Sequence, residues 1–472
     1  MPNEPASSQP PRPRRPLRIL AAILLVALLS PAAAWFAWSR IEAARLDRAL
    51  DALEASGVPL DITEFEVKPA TSEQREASHL YAQAAKLVGD DIRPRLAGVG
   101  RAIEELCAVP PATVNRMAQL TTLQSFEDRY KPALVPLDRA SQLDAAGWDE
   151  ADRPRLASME EMRPTNLWTV NAVRIARLAC PGNGDAAAAA LFSTLRLGRV
   201  RTASSVYARL PAQTAHSLQS LLSFTSPSPA LLQRIQQEYE AAADGQIADR
   251  QMLYSRAQWF YYSMPGVFSD PPPGYEGRRI TPIEGIVRMM ARPLRDHRMR
   301  SEIREFDEAI GAAQQPWPAR LDAAAALARK YPSVQSRRPG LMDALTSPMG
   351  SHRATASLSI AIGRDAEALA RARASVGAVA AARYRQAHQG TLPATLRDLI
   401  PEYLSAPLVD PYSGKELKYV HEGTSYKVYS VGINRQDDGG TWDQTSDLQF
   451  SRRGNPPDIG ISVGAWPAAG RH

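Results

Sequence analysis

Two cysteines in 472 residues, Cys107 and Cys180, leave no Cys-x-x-Cys pair and no thiolate cage for a structural metal. The seven histidines are scattered, with no two at ligand spacing, and neither a His-Glu-x-x-His string nor a phosphate-binding loop occurs. Aromatics are only 7% of the chain, the net charge of +6 is mild, and the two signs are interspersed. That combination offers no stacking platform or basic stripe, so nucleic acid is not implied as a partner. Glu104-Glu105 and Glu160-Glu161 are adjacent pairs, which turn to different helix faces and cannot share a substrate. Gly182-x-Gly184-x-x-Ala187 imitates a dinucleotide turn but follows a helical pattern rather than a strand. Gly460-Ile-Ser-Val-Gly464 imitates a nucleophile elbow, yet no helix can start in the short tail after it. No catalytic set is present, and the chain reads as a non-enzyme.

Prolines are plentiful at 38, which implies many helix ends. Residues 1–16 are proline- and serine-rich and read as a disordered tail. From Leu17 to Trp38 the only charge is Arg18, a run long enough for a membrane-crossing helix of about 20 residues. Arg12, Arg14 and Arg15 before it predict a cytoplasmic N-terminus, a single pass through a bacterial inner membrane and a periplasmic bulk. A signal peptide also fits, with Ala32-Ala-Ala34 as its cleavage site. Either reading exports the rest, where Cys107 and Cys180 become a disulfide or two buried thiols.

Residues 40–330 read as helical throughout. Segments 167–179 and 186–200 flank Cys180-Pro-Gly-Asn-Gly184, and 216–224 and 231–243 flank Pro227-Ser-Pro229. Helix pairs joined by such turns predict an α-solenoid-like body. Tyr254, Trp259, Phe260, Tyr261 and Tyr262 recur at helical spacing, as core residues do. Arg292, Arg295, Arg298 and Arg300 mark a basic helix face, and residues 331–350 form a linker.

Residues 351–464 change character. Leu358, Ile362, Leu369, Val376, Ala380, Tyr384 and Ala387 make the stripe of a long helix, stopped by Gly390. Segments 416–420 and 425–431 are β-branched and aromatic, predicting a hairpin, and Asp447-Leu-Gln-Phe450 a third strand. The whole chain is therefore expected to be mainly α, with a C-terminal α+β module of one long helix on a small antiparallel sheet. In the loop after the hairpin, Asp437, Asp438, Asp443 and Asp447 gather around two glycines. Crowded carboxylates need a cation or arginines, and calcium takes six to eight oxygen ligands. Arg435 or Arg452 would serve instead if no ion binds.

Arg383-Tyr-Arg-Gln-Ala-His-Gln-Gly390, Leu392-Pro-Ala-Thr-Leu396, the Asp410-Pro411 turn, Tyr429-Ser-Val-Gly432 and Asp437-Asp-Gly-Gly440 occur in that order. Together they resemble the soluble end of type II secretion major pseudopilins. The resemblance implies a calcium ion stapling the last loop, with Asp437, Asp438, Asp443 and Asp447 as candidates. The pilin leader, its Gly-Phe junction and the following glutamate are absent near Arg14, so a polymerising subunit is not implied. The whole chain resembles large exported bacterial helical proteins. The function expected is a non-enzymatic, membrane-anchored scaffold presenting this module to a protein partner in the cell envelope. An accessory part of a secretion or pilus-like apparatus, or an enzyme of unrecognised type, are the alternatives.

Overall fold

The computed structural model describes residues 15–61, 71–89, 92, 96–106, 116–143, 164–198, 210–243, 247–263, 282–331, 354–441 and 458–464. Its first helices are α1 (Arg15–Ala55), α2 (Ser72–Val88), α3 (Leu96–Leu106) and α4 (Arg116–Gln142). Two hairpins follow, α5 (Pro164–Ala179) with α6 (Gly184–Gly198), and α7 (Leu210–Phe224) with α8 (Pro229–Ala243). Then come α9 (Ile247–Ser263), α10 (Pro282–Met290), α11 (Arg292–Ala313), α12 (Ala319–Lys330) and the long α13 (Ala354–Ala387). A short 3₁₀ turn (Leu396–Leu399) leads to strands β1 (Lys418–Glu422), β2 (Ser425–Ser430) and β3 (Ile459–Val463).

Helix α13 is the axis on which the rest is assembled. Its middle is made of small side chains, with Ala366, Ala370, Ala374, Ala378 and Ala381 all fully buried. Alanine has the best helix propensity and lets neighbours approach closely on every side. Helices α7 and α8 lie against one side of α13, β2 and β3 against another, and α9, α11 and α12 against its N-terminal part. At Gly377 an added Cβ would come 3.0 Å from Val428 Cγ1 and 3.1 Å from Leu408 Cδ1, so the sheet rests on the helix backbone. The helix ends as its sequence requires, at Gly390 with φ +91°.

The sheet is antiparallel in the order β1-β2-β3, with Glu422 opposite Ser425 and Ile459 opposite Ser430. The two-residue Gly423-Thr424 turn closes the hairpin, with Gly423 at φ +55° as such turns demand. Tyr426, Val428, Ile461 and Val463 are buried and belong to one continuous core with Leu218, Leu232 and Tyr239 of the helical body. Polar contacts tie the same seam. Gln236 Nε2 donates to the Tyr403 carbonyl at 2.7 Å, Arg383 donates to Gln236 Oε1 at 2.8 Å, and Gly464 N donates to Ser223 Oγ at 3.0 Å. The terminal module is thus built into the body.

Several expectations need correction. Among the described residues no helix is long and apolar enough to cross a membrane. The stretch from Leu17 to Trp38 is the first part of α1, which continues unbroken through Ser39, Arg40, Glu42 and Arg45. That polar half docks on α11. Glu42, 2% exposed, meets Arg45 at 2.8 Å, Arg300 at 3.2 Å and His297 at 3.4 Å. Burial alone would push the Glu42 carboxyl up, but the contacts with Arg45, Arg300 and His297 outweigh it and hold it below the usual range. Trp35 Nε1 donates to the Met290 carbonyl at 3.0 Å. The transmembrane anchor falls, and with it the membrane partner, the single-pass inner-membrane topology and the periplasmic address as drawn from that anchor.

The helix pairs form where expected, but they do not stack in one direction as a solenoid does. Helix α1 packs on α11 and α13 on α7 and α8, contacts between parts far apart in the chain. The third strand is Ile459–Val463, and the segment 447–450 proposed for it lies outside the described residues. So do Cys107, the tail 1–14 and the linker from 332 onward. The aromatic run is core where it is described: Phe260 is 1% exposed, and Trp259 lies 5.9 Å from the Phe306 ring. The basic face is spent on ion pairs, Arg292 and Arg295 with the buried Asp296 and Arg298 with Glu302.

Candidate functional site

The loop that leaves β2 and returns to β3 holds the acidic residues singled out above. Two aspartates flank its base, and both are 1% exposed. Asp410 opens the Asp-Pro turn, and each of its oxygens is used twice. Oδ1 accepts from Tyr412 N at 2.9 Å and Ser430 Oγ at 2.7 Å, and Oδ2 from Ser413 Oγ at 2.9 Å and Val431 N at 3.2 Å. This carboxylate pins the turn to the end of β2 and leaves nothing for a ligand.

The loop itself turns on glycines at positive φ, Gly432, Gly439 and Gly440, with Arg435 also in that region at φ 58°. At Gly440 an added Cβ would lie 2.9 Å from Lys427 Cδ, so glycine is needed for space as well. Asp437 is exposed and already paired. Lys418 Nζ lies 2.9 Å from its Oδ2, and Tyr429 OH and Gly439 N donate to Oδ1 at 3.0 and 3.2 Å. The hydrogen bond from Lys418 holds its carboxyl below the ordinary value. Asp438 turns the other way and accepts from Asn434 Nδ2 at 2.7 Å. Asp443 and Asp447 lie outside the described residues.

Asp458, which the sequence pattern did not single out, completes the site from the far end of the loop. Gly440 N donates to its Oδ2 at 2.8 Å, while its Oδ1, equally buried, has no hydrogen-bond partner among the described residues. Burial pushes this carboxyl up and the neighbouring charge of Asp438 adds to the rise, opposed by the amides of Gly440, Asp438 and Thr441. Lys427 stands beside it, its Nζ donating to the Gly440 carbonyl at 3.0 Å and its ammonium pushed down by burial.

No family model, curated protein or solved structure matches this chain. The geometry therefore has to speak alone. Among the described residues no three His, Cys, Asp or Glu side chains gather closely enough to hold a metal ion. Of the four aspartates the sequence suggested, Asp437 and Asp438 are described, and Asp438 lies near enough to Asp458 for its charge to be felt there. Arg435, one of the arginines that would have neutralised the loop, reaches Asp322 of α12 at 2.7 Å instead. What remains is a pair of hard oxygen donors with one buried oxygen open. Neither sulfur nor imidazole stands among them, as suits a calcium-class ion. Ser462, the centre of the elbow-like string, is 6% exposed inside β3, where no strand-to-helix turn presents it.

Proposed function

We propose that the protein is a divalent-cation-binding protein whose terminal helix-and-sheet module is locked by calcium. Asp438 and Asp458 would hold the ion, with backbone carbonyls and water filling the positions that calcium requires. The ion would supply charge neutralisation between the Asp438 and Asp458 carboxylates, and its role would be structural. It fixes the path from β2 to β3 and so the surface that the loop presents. The observation that carries this reading is the buried, unpartnered Oδ1 of Asp458 beside a second carboxylate. The pseudopilin resemblance supports it, because that family is expected to staple the same loop.

The test is thermal unfolding of the full chain in chelator and in rising calcium, for the wild type and for Asp458→Asn. A saturable rise in the midpoint that the variant lacks is the expected result. An unchanged wild-type midpoint at millimolar calcium overturns the proposal and leaves Lys427 as the built-in counter-charge of Asp458.

A further inference from the structure

A concave surface lies between α1 and α11. It is an open groove of about 550 Å³, within the usual range for small-molecule sites. Its α1 wall carries Ala49, Ala52 and Leu53, at the three- and four-residue steps of one helix face. Its α11 wall carries Ile303, Ile310 and Gly311, and the small residues on both sides leave the space between the walls unfilled. Three guanidinium groups border this apolar channel, Arg256 from α9 and Arg300 and Arg304 from α11, against the single carboxylate of Asp307.

Among the described residues the arginines are only partly answered. The Arg256 side chain is 2% exposed and pairs with Asp307 at 2.9 Å, with a long 3.5 Å contact to the Pro59 carbonyl. Its Nε is buried without a hydrogen-bond partner among the described residues, and so is Nε of Arg300. Asp307 is itself 49% exposed and so shares its charge with water. Glu42, the partner of Arg300, is divided among Arg300, Arg45 and the His297 ring. A buried guanidinium left short of acceptors is costly, and an arriving anion relieves that cost with charge-assisted hydrogen bonds.

We infer that this groove binds a small organic carboxylate, its head on the Arg256, Arg300 and Arg304 guanidinium groups and its aliphatic body between Leu53, Ile303 and Ile310. The charge balance selects an anion. The apolar walls select one with a hydrocarbon portion over a bare inorganic ion. Arg304, exposed on the rim, is the entry contact, and Arg256 is the buried end of the site.

Calorimetric titration of the full chain with decanoate below its micelle concentration tests this, with decanol and inorganic sulfate as comparators. Saturable binding of decanoate is expected, with decanol and sulfate each at least ten-fold weaker and Arg304→Gln several-fold weaker. Because Arg256→Met could perturb folding, Gly311→Leu is the decisive variant. An added Cβ there meets nothing within 4 Å, and the helix tolerates it. This variant should fold as the parent does and lose decanoate binding. No saturable binding, equal affinity for decanol or sulfate, or full binding by folded Gly311→Leu would each overturn the inference.

Discussion

Asp410 and Asp458 are equally buried, and both stand beside the C-terminal end of β2, yet they are opposites. The first has four protein donors on its two oxygens. The second has one oxygen with no hydrogen-bond partner among the described residues and a like charge nearby. Burial by itself therefore says little about what a carboxylate is for; the count of donors around it does. A buried acid whose partners are all supplied by the chain holds a turn together. A buried acid one partner short is a place where something from outside belongs.

The comparison can be broken most sharply at Asp410. Asp410→Ala strands two buried backbone amides and two hydroxyls, and should cost about 3–5 kcal/mol of stability by denaturant titration, calcium or no calcium. Asp458→Asn should behave in the reverse sense. Without calcium it should be neutral or slightly stabilising. It should also abolish a calcium-dependent gain, which for the wild type reaches about 2.7 kcal/mol at a hundred-fold excess over the dissociation constant. The pH response follows from the same residue. Its folded pKa is raised above the ordinary 3.8, so the folded state holds the proton more tightly. In cation-free protein that contribution is complete below about 3.8 and fades as pH rises through the elevated folded value. A stability-against-pH curve should show this decline in the wild type and not in Asp458→Asn, and calcium affinity should weaken as pH falls through the same window. The smallest effect is expected at Asp437. Lys418, Tyr429 and Gly439 already occupy its oxygens, so Asp437→Asn should leave calcium affinity within about two-fold.

The helical content and the terminal helix-on-sheet module were legible in the sequence, whereas the membrane helix and the solenoid stacking read from it were wrong. The long helix, its glycine stop and the hairpin fall where periodicity and turn chemistry put them, because each is decided by neighbours within a few residues. The third strand was missed because Gly460-Ile-Ser-Val-Gly464 is bounded by glycines and resembles a catalytic string. Only pairing with β2 makes it a strand. At Gly460 an added Cβ would sit 2.3 Å from the Val428 carbonyl oxygen, a constraint that no local pattern reveals. The site was half legible for the same reason. Asp437 and Asp438 drew notice by clustering in sequence, whereas Asp458 joins Asp438 through the return of the chain. Charge density marked Asp437, yet Lys418, brought in by β1, claims it. The membrane expectation failed because composition was read over Leu17 to Trp38 alone. The same helix carries Glu42 into a buried ion-pair cluster on α11, a contact made across more than half the chain.

Helix α13 has a bearing on how the molecule comes to exist. It begins at Ala354 of 472 residues, yet it supplies the surface against which α7 and α8 close. A ribosome releases those two helices long before the rod that fits between them and the sheet. Until the last quarter of the message has been translated, Leu218, Leu232 and Tyr239 stand beside an empty slot. Assembly of the body must therefore wait for Ala354–Ala387 to be made, and a transcript truncated before Ala354 would yield a product with its interior laid open to proteolysis and aggregation.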